Sequence, residues 1–344
     1  MTSPEVLTPT RLAAPVPAAG APIQPVFLLS APRSGSTLVQ RMLAAHPGVA
    51  TAAEPWLLLP LLGARREDLP DVTGWHWPAA VGVEHFIADY LPGGIDDYDA
   101  AIRAAALQLY RRAAGPQASH FVDKTPGYAL IADDLARTFP DAPLIFLWRN
   151  PLGILASIVE TFDAGAFRPY HQALPLFDGP ARMVAAQQRL GDRVTAVRYE
   201  DVVAGDEATL RRLSAGASLQ FTAEAYERFA DVQIPGRLGD PTGVHRYSSV
   251  SREPTEKWRT VLANPARRAW ARRWVRWLGR ERLAVMGYDL DAVLDQLDEL
   301  GTPAGTAPQL ARDSAGLAVS MLRDTLKARA AFPSTSTWRC LLST

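Results

Sequence analysis

Five consecutive residues could bind a phosphate or a sulfate: Arg33, Ser34, Gly35, Ser36 and Thr37. They follow an apolar run at residues 25–30 and precede a helical pattern at residues 36–46. The order predicts a buried strand, a tight loop and a helix. Backbone N–H groups of such a loop and the positive end of the following helix form an anion site, to which the hydroxyl groups add donors.

The loop lacks two residues that define the phosphate loop of nucleotide triphosphatases, G-x-x-x-x-G-K-[ST]. Ser30 stands where the first glycine belongs, and Ser36 stands where the lysine belongs. Arg33 is therefore the only full positive charge in the loop. One arginine suits a 5′-phosphate or a sulfate better than a triphosphate chain with Mg²⁺.

A second segment has the spacing of an anion site. The apolar run 143–148 predicts a strand that ends at Arg149, and Pro151 is suited to the first turn of the next helix. Ser157 then lies roughly 9 Å along that helix, so it reaches an anion beside the helix that Arg149 also holds. Taken singly, Arg149 could form a surface salt bridge and Ser157 could be a solvated helix position. Triphosphatases usually end this strand in an Asp that holds Mg²⁺.

Together these segments resemble sulfotransferases that use 3′-phosphoadenosine 5′-phosphosulfate (PAPS). The resemblance starts at Pro32-Arg33-Ser34-Gly35-Ser36-Thr37, continues through Arg41-Met42-Leu43 and Ala45-His46-Pro47, and covers about residues 25–262. In that family the strand-end arginine and the helix serine share the donor's 3′-phosphate. The resemblance implies transfer of a sulfuryl group to an acceptor oxygen or nitrogen, in line and without a metal. Arg33 and the loop amides would hold the 5′-phosphate.

Lys124, in Asp123-Lys124-Thr125-Pro126, resembles the catalytic lysine of the family. The resemblance implies that it stabilises negative charge on the bridging oxygen of the leaving phosphate. The alternative is an exposed loop charge paired with Asp123.

The base is predicted to be a glutamate. The sulfotransferases of phenols and steroids carry a histidine two residues after their lysine, where this chain has Pro126. The chain resembles instead the tyrosylprotein sulfotransferases and related bacterial enzymes, whose base is a Glu after the first helix, as Glu54 is here. An apolar run, residues 56–59, leaves this carboxylate poorly solvated, which suits a base near neutral pH. The alternatives are that Glu54 only caps or pairs in a loop, and that His76, between two tryptophans, is the base.

Further donor contacts are predicted by resemblance at Tyr199, which follows a strand, and in a late segment. Tyr199 would contact the nucleotide, although a tyrosine at this position is often only part of the core. The late-segment candidates are Ser249, Ser251, Arg252 and Lys257. Relatives place an arginine soon after the helix serine, where this chain has Thr161. Either this contact to the 3′-phosphate is missing, or Arg252 or Lys257 supplies it.

Composition limits the partners. The chain has 344 residues, 48% of them hydrophobic, and a formal net charge of zero. It is long enough for a large core, and no overall charge attracts nucleic acid or an acidic membrane. The single cysteine, Cys340, excludes an internal disulfide and fits a cytoplasmic location. The histidines and carboxylates show no metal-ligand spacing. Arginines and tryptophans interleave at residues 267–282, but the tryptophans recur at helical spacing, which favours a core helix over a nucleic-acid surface.

The sequence predicts a disordered tail at residues 1–24 with no membrane span, and a domain at 25–300. Residues 63–120 would form a helical insertion around the acceptor pocket. A linker near residues 301–308 precedes a helix at 309–330, which would pack on the domain or form a homodimer contact. The fold class is α/β: a P-loop-type, three-layer fold with a mostly parallel central sheet flanked by helices.

Strands are predicted at 25–30, 143–148 and 194–198, and further helices at 97–114, 129–139, 151–161, 180–190 and 206–214. The predicted function is sulfation of a hydroxyl on a small molecule, a lipid or a carrier-bound acyl chain in bacterial secondary metabolism. Four aromatic residues suggest an apolar acceptor: Trp56, Trp75, Trp77 and Phe86. The alternatives are a P-loop kinase and a catalytically silent nucleotide-binding or scaffold protein.

Overall fold

A computed structural model describes residues 22–66, 76–162, 165–234, 250–303 and 307–330. Its centre is one parallel sheet in the order β2-β3-β1-β4-β5. The strands are β1 (Gln24–Ser30), β2 (Val49–Thr51), β3 (His120–Asp123), β4 (Leu144–Trp148) and β5 (Val194–Arg198). The predicted fold class, α/β with a mostly parallel central sheet flanked by helices, is confirmed. The predicted tail lies outside the described residues as far as residue 21.

Helices follow the strands along the chain. Those of the first half are α1 (Ser36–Ala44), α2 (Leu58–Gly63), α3 (His76–Tyr90), α4 (Ile95–Ala114), α5 (Ala132–Thr138), α6 (Pro151–Thr161) and α7 (Gly179–Leu190). Those of the second half are α8 (Tyr199–Ala204), α9 (Glu207–Gly216), α10 (Ala223–Glu227), α11 (Glu253–Glu256), α12 (Trp258–Val261), α13 (Pro265–Met286), α14 (Leu290–Asp298) and α15 (Ala307–Ala330). Short non-α turns lie at Pro126–Ile131, Pro169–His171, Leu174–Asp178, Gly191–Arg193 and Arg228–Asp231.

Strands β1 and β4 are buried on both faces, as a parallel sheet between helical layers requires. Alternate residues point to opposite faces, so β1 sends Phe27 and Leu29 into one core and Val26 and Leu28 into the other. The larger core contains the packing of α5, α6, α7 and α13, and the smaller contains that of α1, α8, α9 and α10. Two cores on one sheet give the three layers that the sequence predicts.

The predicted strands and helices agree with the structure to within a few residues, with one change, whereas two strands and several short helices are not predicted. Strands β2 and β3 are not predicted: β2 has three half-buried residues at the sheet edge, and β3 has four that include a His and an Asp. Both fall short of the apolar runs that signal a strand. The predicted helix 129–139 is a 3₁₀ segment, Pro126–Ile131, followed by the shorter α5.

The C-terminal helices complete the larger core. Trp270 and Trp274 of α13 are buried and stacked, which supports the interpretation of this segment as a core helix. Helix α15 packs back on the domain, where Asp313 forms a buried ion pair with Arg267 (Nε to Oδ2, 2.7 Å). Arg267 also donates to the carbonyl oxygen of Gly165, just beyond α6. The homodimer contact for α15 stays a prediction.

The Asp313→Ala substitution should lower the free energy of unfolding by about 3–5 kcal/mol, because it leaves the Arg267 charge buried without its partner. Urea unfolding measures the change. The control is Glu207→Ala, which breaks the exposed pair with Arg211 on α9 and should cost at most about 0.5 kcal/mol. Equal, small losses in both variants would contradict a structural role for the buried pair.

Helices α3 and α4 lie in the region 63–120, where the helical insertion is predicted. Within the described ranges, no helix combines the length and the apolar character that crossing a membrane requires.

Candidate active site

The predicted site residues gather at one edge of the sheet. Parallel strands end at the same edge, where ligands of α/β folds bind. The predicted anion-binding loop, residues 31–35 and called the phosphate loop below, follows β1. Lys124 follows β3 and Arg149 follows β4. Tyr199 follows β5, and Glu54 comes three residues after β2. Residues distant in sequence therefore meet around the loop.

The phosphate loop is shaped by two residues with positive φ, Arg33 (69°) and Gly35 (84°). Gly35 is the residue before α1, and the ring of Tyr199 lies directly against it, 2.3 Å from where a Cβ would be. The hydroxyl of Ser34 is buried and has no hydrogen-bond partner within the described part of the chain. A buried, unpaired donor in a loop of this shape fits an anionic ligand.

The Gly35→Ala substitution should destabilise the protein by more than the roughly 1–3 kcal/mol of a strained left-handed residue, because its methyl group also collides with Tyr199. The control is Gly205→Ala, where φ is also positive (73°) and the space for a Cβ is open. Urea unfolding of both variants separates the two contributions. Equal losses would show that the contact with Tyr199 costs nothing.

Arg149 is buried beneath the loop. One terminal nitrogen donates to the carbonyl oxygen of Arg33 (2.8 Å) and the other to that of Pro254 (2.6 Å). Its guanidinium carbon lies 4.7 Å from the centre of the Tyr199 ring. Burial lowers the pKa of Arg149, and its Nε has no hydrogen-bond partner among the described residues. This position excludes a surface salt bridge for Arg149.

Ser157 of α6 is brought to the same place. Its hydroxyl accepts a hydrogen bond from Nε of Arg33 (3.1 Å). The Arg33 guanidinium also lies over the ring of Phe162, 5.9 Å from its centre. Two arginines and a serine from three elements therefore converge beside the phosphate loop.

The turn after Arg149 is held by residues that the sequence analysis missed. Glu200 accepts hydrogen bonds from the backbone N–H of Asn150 (2.9 Å) and from the hydroxyl of Tyr288 (2.6 Å). Burial raises the pKa of Tyr288, which therefore stays a neutral donor. Glu200 directly follows Tyr199 in the chain, but nothing in the sequence relates it to Tyr288, 88 residues further on.

The late segment, described from residue 250 onwards, also lies close to Arg149 and α6. Nζ of Lys257 forms an ion pair with Glu160 of α6 (2.8 Å), three residues beyond Ser157. Arg252 donates to the carbonyl oxygen of Ala204 at the end of α8, and the hydroxyl of Ser251 accepts from the N–H two residues on. Ser249 lies outside the described residues. Lys257 is thus close to α6, the helix that carries Ser157, and Arg252 is turned towards α8.

Lys124 and Glu54 meet, although 70 residues separate them. Nζ of Lys124 lies 2.7 Å from Oε1 of Glu54, and both side chains are largely removed from solvent. The pairing follows from the adjacency of β2 and β3 in the sheet. Lys124 is therefore not the exposed partner of Asp123 that the alternative interpretation requires.

Asp123 is fully buried and points away from Lys124. Its Oδ2 accepts from the hydroxyls of Tyr110 (2.6 Å) and Tyr128 (3.0 Å), and its Oδ1 accepts from Thr125 (3.1 Å). Burial raises the pKa of Asp123 to about 6, against the opposing effect of these three hydrogen bonds. A carboxylate beside Phe121 and Val122 in a buried strand is the one sequence signal that could have revealed this cluster.

None of the hydrogen bonds and ion pairs described above at this edge of the sheet involves a histidine. His46 is buried against Tyr226, and burial lowers its pKa, which favours the neutral ring. His76 begins α3, but its side chain lies outside what the structure describes. Among the described residues, no group of three or more His, Cys, Asp or Glu side chains is arranged to hold a metal ion.

Comparisons with known proteins find similar chains. The nodulation protein NoeE of Sinorhizobium fredii is 30% identical over 263 residues, which are 69% of this chain and 60% of NoeE. Protein-tyrosine sulfotransferase A of Caenorhabditis elegans is 24% identical over 55% of this chain and 48% of its own. The chain thus spans less than two thirds of either relative. The sulfotransferase domain from the curacin biosynthetic pathway superposes with a TM-score of 0.47 at 22% identity, over 71% of this chain and 92% of its own.

The family itself is assigned by a sequence profile. The profile described as the sulfotransferase family matches residues 25–223, which include the phosphate loop, strands β2 to β5 and all of β1 except its first residue. This match covers more than half of the chain, and by it the protein belongs to the sulfotransferase family.

Proposed function

We propose that this sulfotransferase uses PAPS as its donor and transfers the sulfuryl group to a hydroxyl of a small-molecule, lipid or carrier-bound acceptor. The observation that carries the proposal is the buried Lys124–Glu54 pair, whose charged atoms lie 2.7 Å apart. Lys124 follows β3, which pairs with β1, the strand that leads into the phosphate loop. A kinase or a silent nucleotide-binding protein has no need of this pair. Sulfuryl transfer needs a cation that stabilises the negative charge on the leaving phosphate and a base that takes the acceptor's proton.

The donor half of the site lies on the β4 side of the loop. Arg149, Ser157 and Arg33 converge there, and a donor with two separate phosphate groups needs such a set of cations and hydroxyls. The unpaired Ser34 hydroxyl and Arg149 Nε fit the same ligand. In this assignment Arg149 and Ser157 hold the 3′-phosphate, and the loop amides with Ser36 and Thr37 hold the 5′-phosphate. Lys257, the residue before α12, forms its ion pair with Glu160 on α6, the helix that also carries Ser157.

The transfer half lies on the β3 side. Glu54 takes the proton of the acceptor hydroxyl as the acceptor oxygen bonds to sulfur. The bond between sulfur and the bridging oxygen of the phosphate breaks in the same step. Lys124 stabilises the negative charge that this oxygen gains, and 3′-phosphoadenosine 5′-phosphate leaves with it. Each side chain acts where its charge is complementary to the charge that develops.

The acceptor class is inferred from aromatic side chains beside the Lys124 loop and on α3, which lies in the region predicted to form the acceptor pocket. The Trp56 ring packs over Gly127, directly after the Lys124 loop. On α3, Phe86 and Tyr90 are exposed and stacked, 5.9 Å apart. Trp75 and the side chain of Trp77 lie outside the described residues. These features support an apolar acceptor, and the single cysteine supports a cytoplasmic location for the reaction.

Calorimetric titration with 3′-phosphoadenosine 5′-phosphate, compared with ATP and Mg²⁺, tests the donor. The expected result is binding of the bisphosphate at about micromolar concentration, equivalent to about −8 kcal/mol, with no comparable binding of ATP. Preference for ATP would support a kinase. Binding of neither ligand would overturn the donor assignment.

A further inference from the structure

The buried carboxylate of Asp123 connects the two predicted catalytic residues through side chains that the reaction itself does not use. Lys124 is its neighbour in the chain. On the other side, the hydroxyls of Thr125 and Tyr128 both donate to Asp123. The same two hydroxyls accept from the backbone of the segment that carries Glu54.

These second bonds reach the Glu54 segment at two points. The hydroxyl of Thr125 accepts from the N–H of Trp56 (3.3 Å), and that of Tyr128 accepts from the N–H of Leu58 (3.0 Å). A hydroxyl that donates to a carboxylate has its lone pairs free to accept, so the carboxylate fixes the direction of each acceptor. Asp123 thereby orients the backbone two and four residues after Glu54.

The Glu54 segment needs such support. Glu54 (φ 26°) and Trp56 (φ 54°) are two of the four non-glycine residues with positive φ in the described ranges. Such conformations persist only where surrounding contacts impose them. At Trp56 the contact that helps to impose this conformation is the hydrogen bond from its backbone N–H to the hydroxyl of Thr125. Strain concentrated in the segment that carries the base is consistent with a functional placement of Glu54.

We infer that Asp123 is a positioning residue for the transfer step, acting through Thr125 and Tyr128 to hold Glu54 against Lys124. The inference rests on the proposed function, since Glu54 and Lys124 are catalytic only in that reaction. The three residues Asp123, Thr125 and Tyr128 are called the relay below. The hydrogen bonds described for the relay join it to Tyr110 and to the Glu54 segment and not to the loop after β1, so its loss should affect transfer and spare donor binding.

Two tyrosines provide a matched pair of variants. Tyr110 and Tyr128 are both buried and both donate to Oδ2 of Asp123. Only Tyr128 also accepts from the Glu54 segment, whereas Tyr110 anchors helix α4. Tyr128→Phe and Tyr110→Phe therefore remove the same kind of bond from the same carboxylate, and differ in whether the Glu54 segment is released.

The first measurement is hydrogen exchange of the amides in peptides that cover residues 54–59. Loss of the bond to Leu58 should speed their exchange about tenfold in Tyr128→Phe. Tyr110→Phe should leave this exchange unchanged, although urea unfolding should show a similar loss of overall stability. The readout needs neither donor nor acceptor.

The second measurement is release of 3′-phosphoadenosine 5′-phosphate from saturating PAPS, with water or an added alcohol as acceptor. We expect release to be at least about tenfold slower in Tyr128→Phe and within about threefold of the parent protein in Tyr110→Phe. The affinity for 3′-phosphoadenosine 5′-phosphate should be the same in all three proteins. Equal effects of the two substitutions on exchange and release would overturn the inference, as would unchanged exchange in Tyr128→Phe.

Position 125 gives an independent pair if Tyr128→Phe fails to fold. Thr125→Val removes the hydroxyl and keeps the shape, and Thr125→Ser keeps the hydroxyl. The relay predicts faster exchange and slower release for valine, with recovery for serine. If the parent protein does not bind 3′-phosphoadenosine 5′-phosphate, the donor assignment fails, and the exchange data still decide whether the relay holds the segment.

Discussion

The Arg149→Ala variant is expected to bind 3′-phosphoadenosine 5′-phosphate roughly 30- to 4,000-fold more weakly than the parent protein, or about 2–5 kcal/mol, the usual cost of truncating one side of a buried charge pair. Arg149 is the buried cation beside the phosphate loop, and its position is fixed by bonds to Arg33 and Pro254 and by stacking on Tyr199. Calorimetric titration measures the change. Arg149→Lys keeps the charge but lacks the forked N–H donors of the guanidinium, so its affinity should lie between those of the parent protein and Arg149→Ala.

The control for this experiment is Arg198→Ala. Arg198 ends β5 opposite Trp148 of β4, one residue before Arg149, and it bonds to the carbonyl oxygen of Gly287 and to Asp201. It therefore tests the loss of a strand-end arginine without loss of the donor site. Its affinity should stay within about threefold of the parent value, the range for exposed ion pairs. Undiminished affinity in Arg149→Ala would remove Arg149 from the donor site.

The Glu54→Gln variant is expected to lower turnover by about 10²- to 10⁴-fold, the usual contribution of a general base. The amide has the size of the carboxylate but cannot take the acceptor's proton. Donor binding should not weaken, because the buried Lys124 charge then has the donor's phosphate as its remaining anionic partner. Release of 3′-phosphoadenosine 5′-phosphate from PAPS, with a panel of aromatic and aliphatic alcohols, measures turnover.

Glu207→Gln is the matched control, because it breaks a glutamate–arginine pair of similar length, 2.6 Å, at an exposed position on α9 that carries no predicted donor contact. An exposed pair contributes little, so turnover should change by less than about threefold. If Glu54→Gln turns over as fast as this control, Glu54 is not the base, and His76 becomes the candidate to test.

The sequence could predict those parts of the site whose residues are close together in the chain. The phosphate loop joins β1 to α1 directly, and Arg149 is followed within two residues by the proline that begins α6. In both cases a long buried strand gives a strong apolar signal, and the next residues must lie at its carboxyl end.

The remaining parts depend on contacts that the sequence does not encode locally. Glu54 meets Lys124 only because β2 and β3 are neighbours, and both strands are too short to be recognised. The pairing of Lys124 with Asp123 is the alternative that the sequence leaves open. In the structure Asp123, the last residue of β3, instead has its carboxylate among tyrosines from two other elements. The support of Asn150 by Glu200 and Tyr288 depends on the return of the chain after α13.

The position of β1 at the centre of the sheet has a consequence for directed evolution. Arg149 and Tyr199 follow strands on one side of β1, whereas Lys124 and Glu54 follow strands on the other. On the proposed function, a mutant library confined to helices α3 and α4 on the β2–β3 side, with Lys124 and Glu54 kept, is expected to change which alcohol is accepted while the predicted donor contacts stay intact. Natural divergence within one donor chemistry could follow the same route, with selection acting on the two sides of the sheet separately.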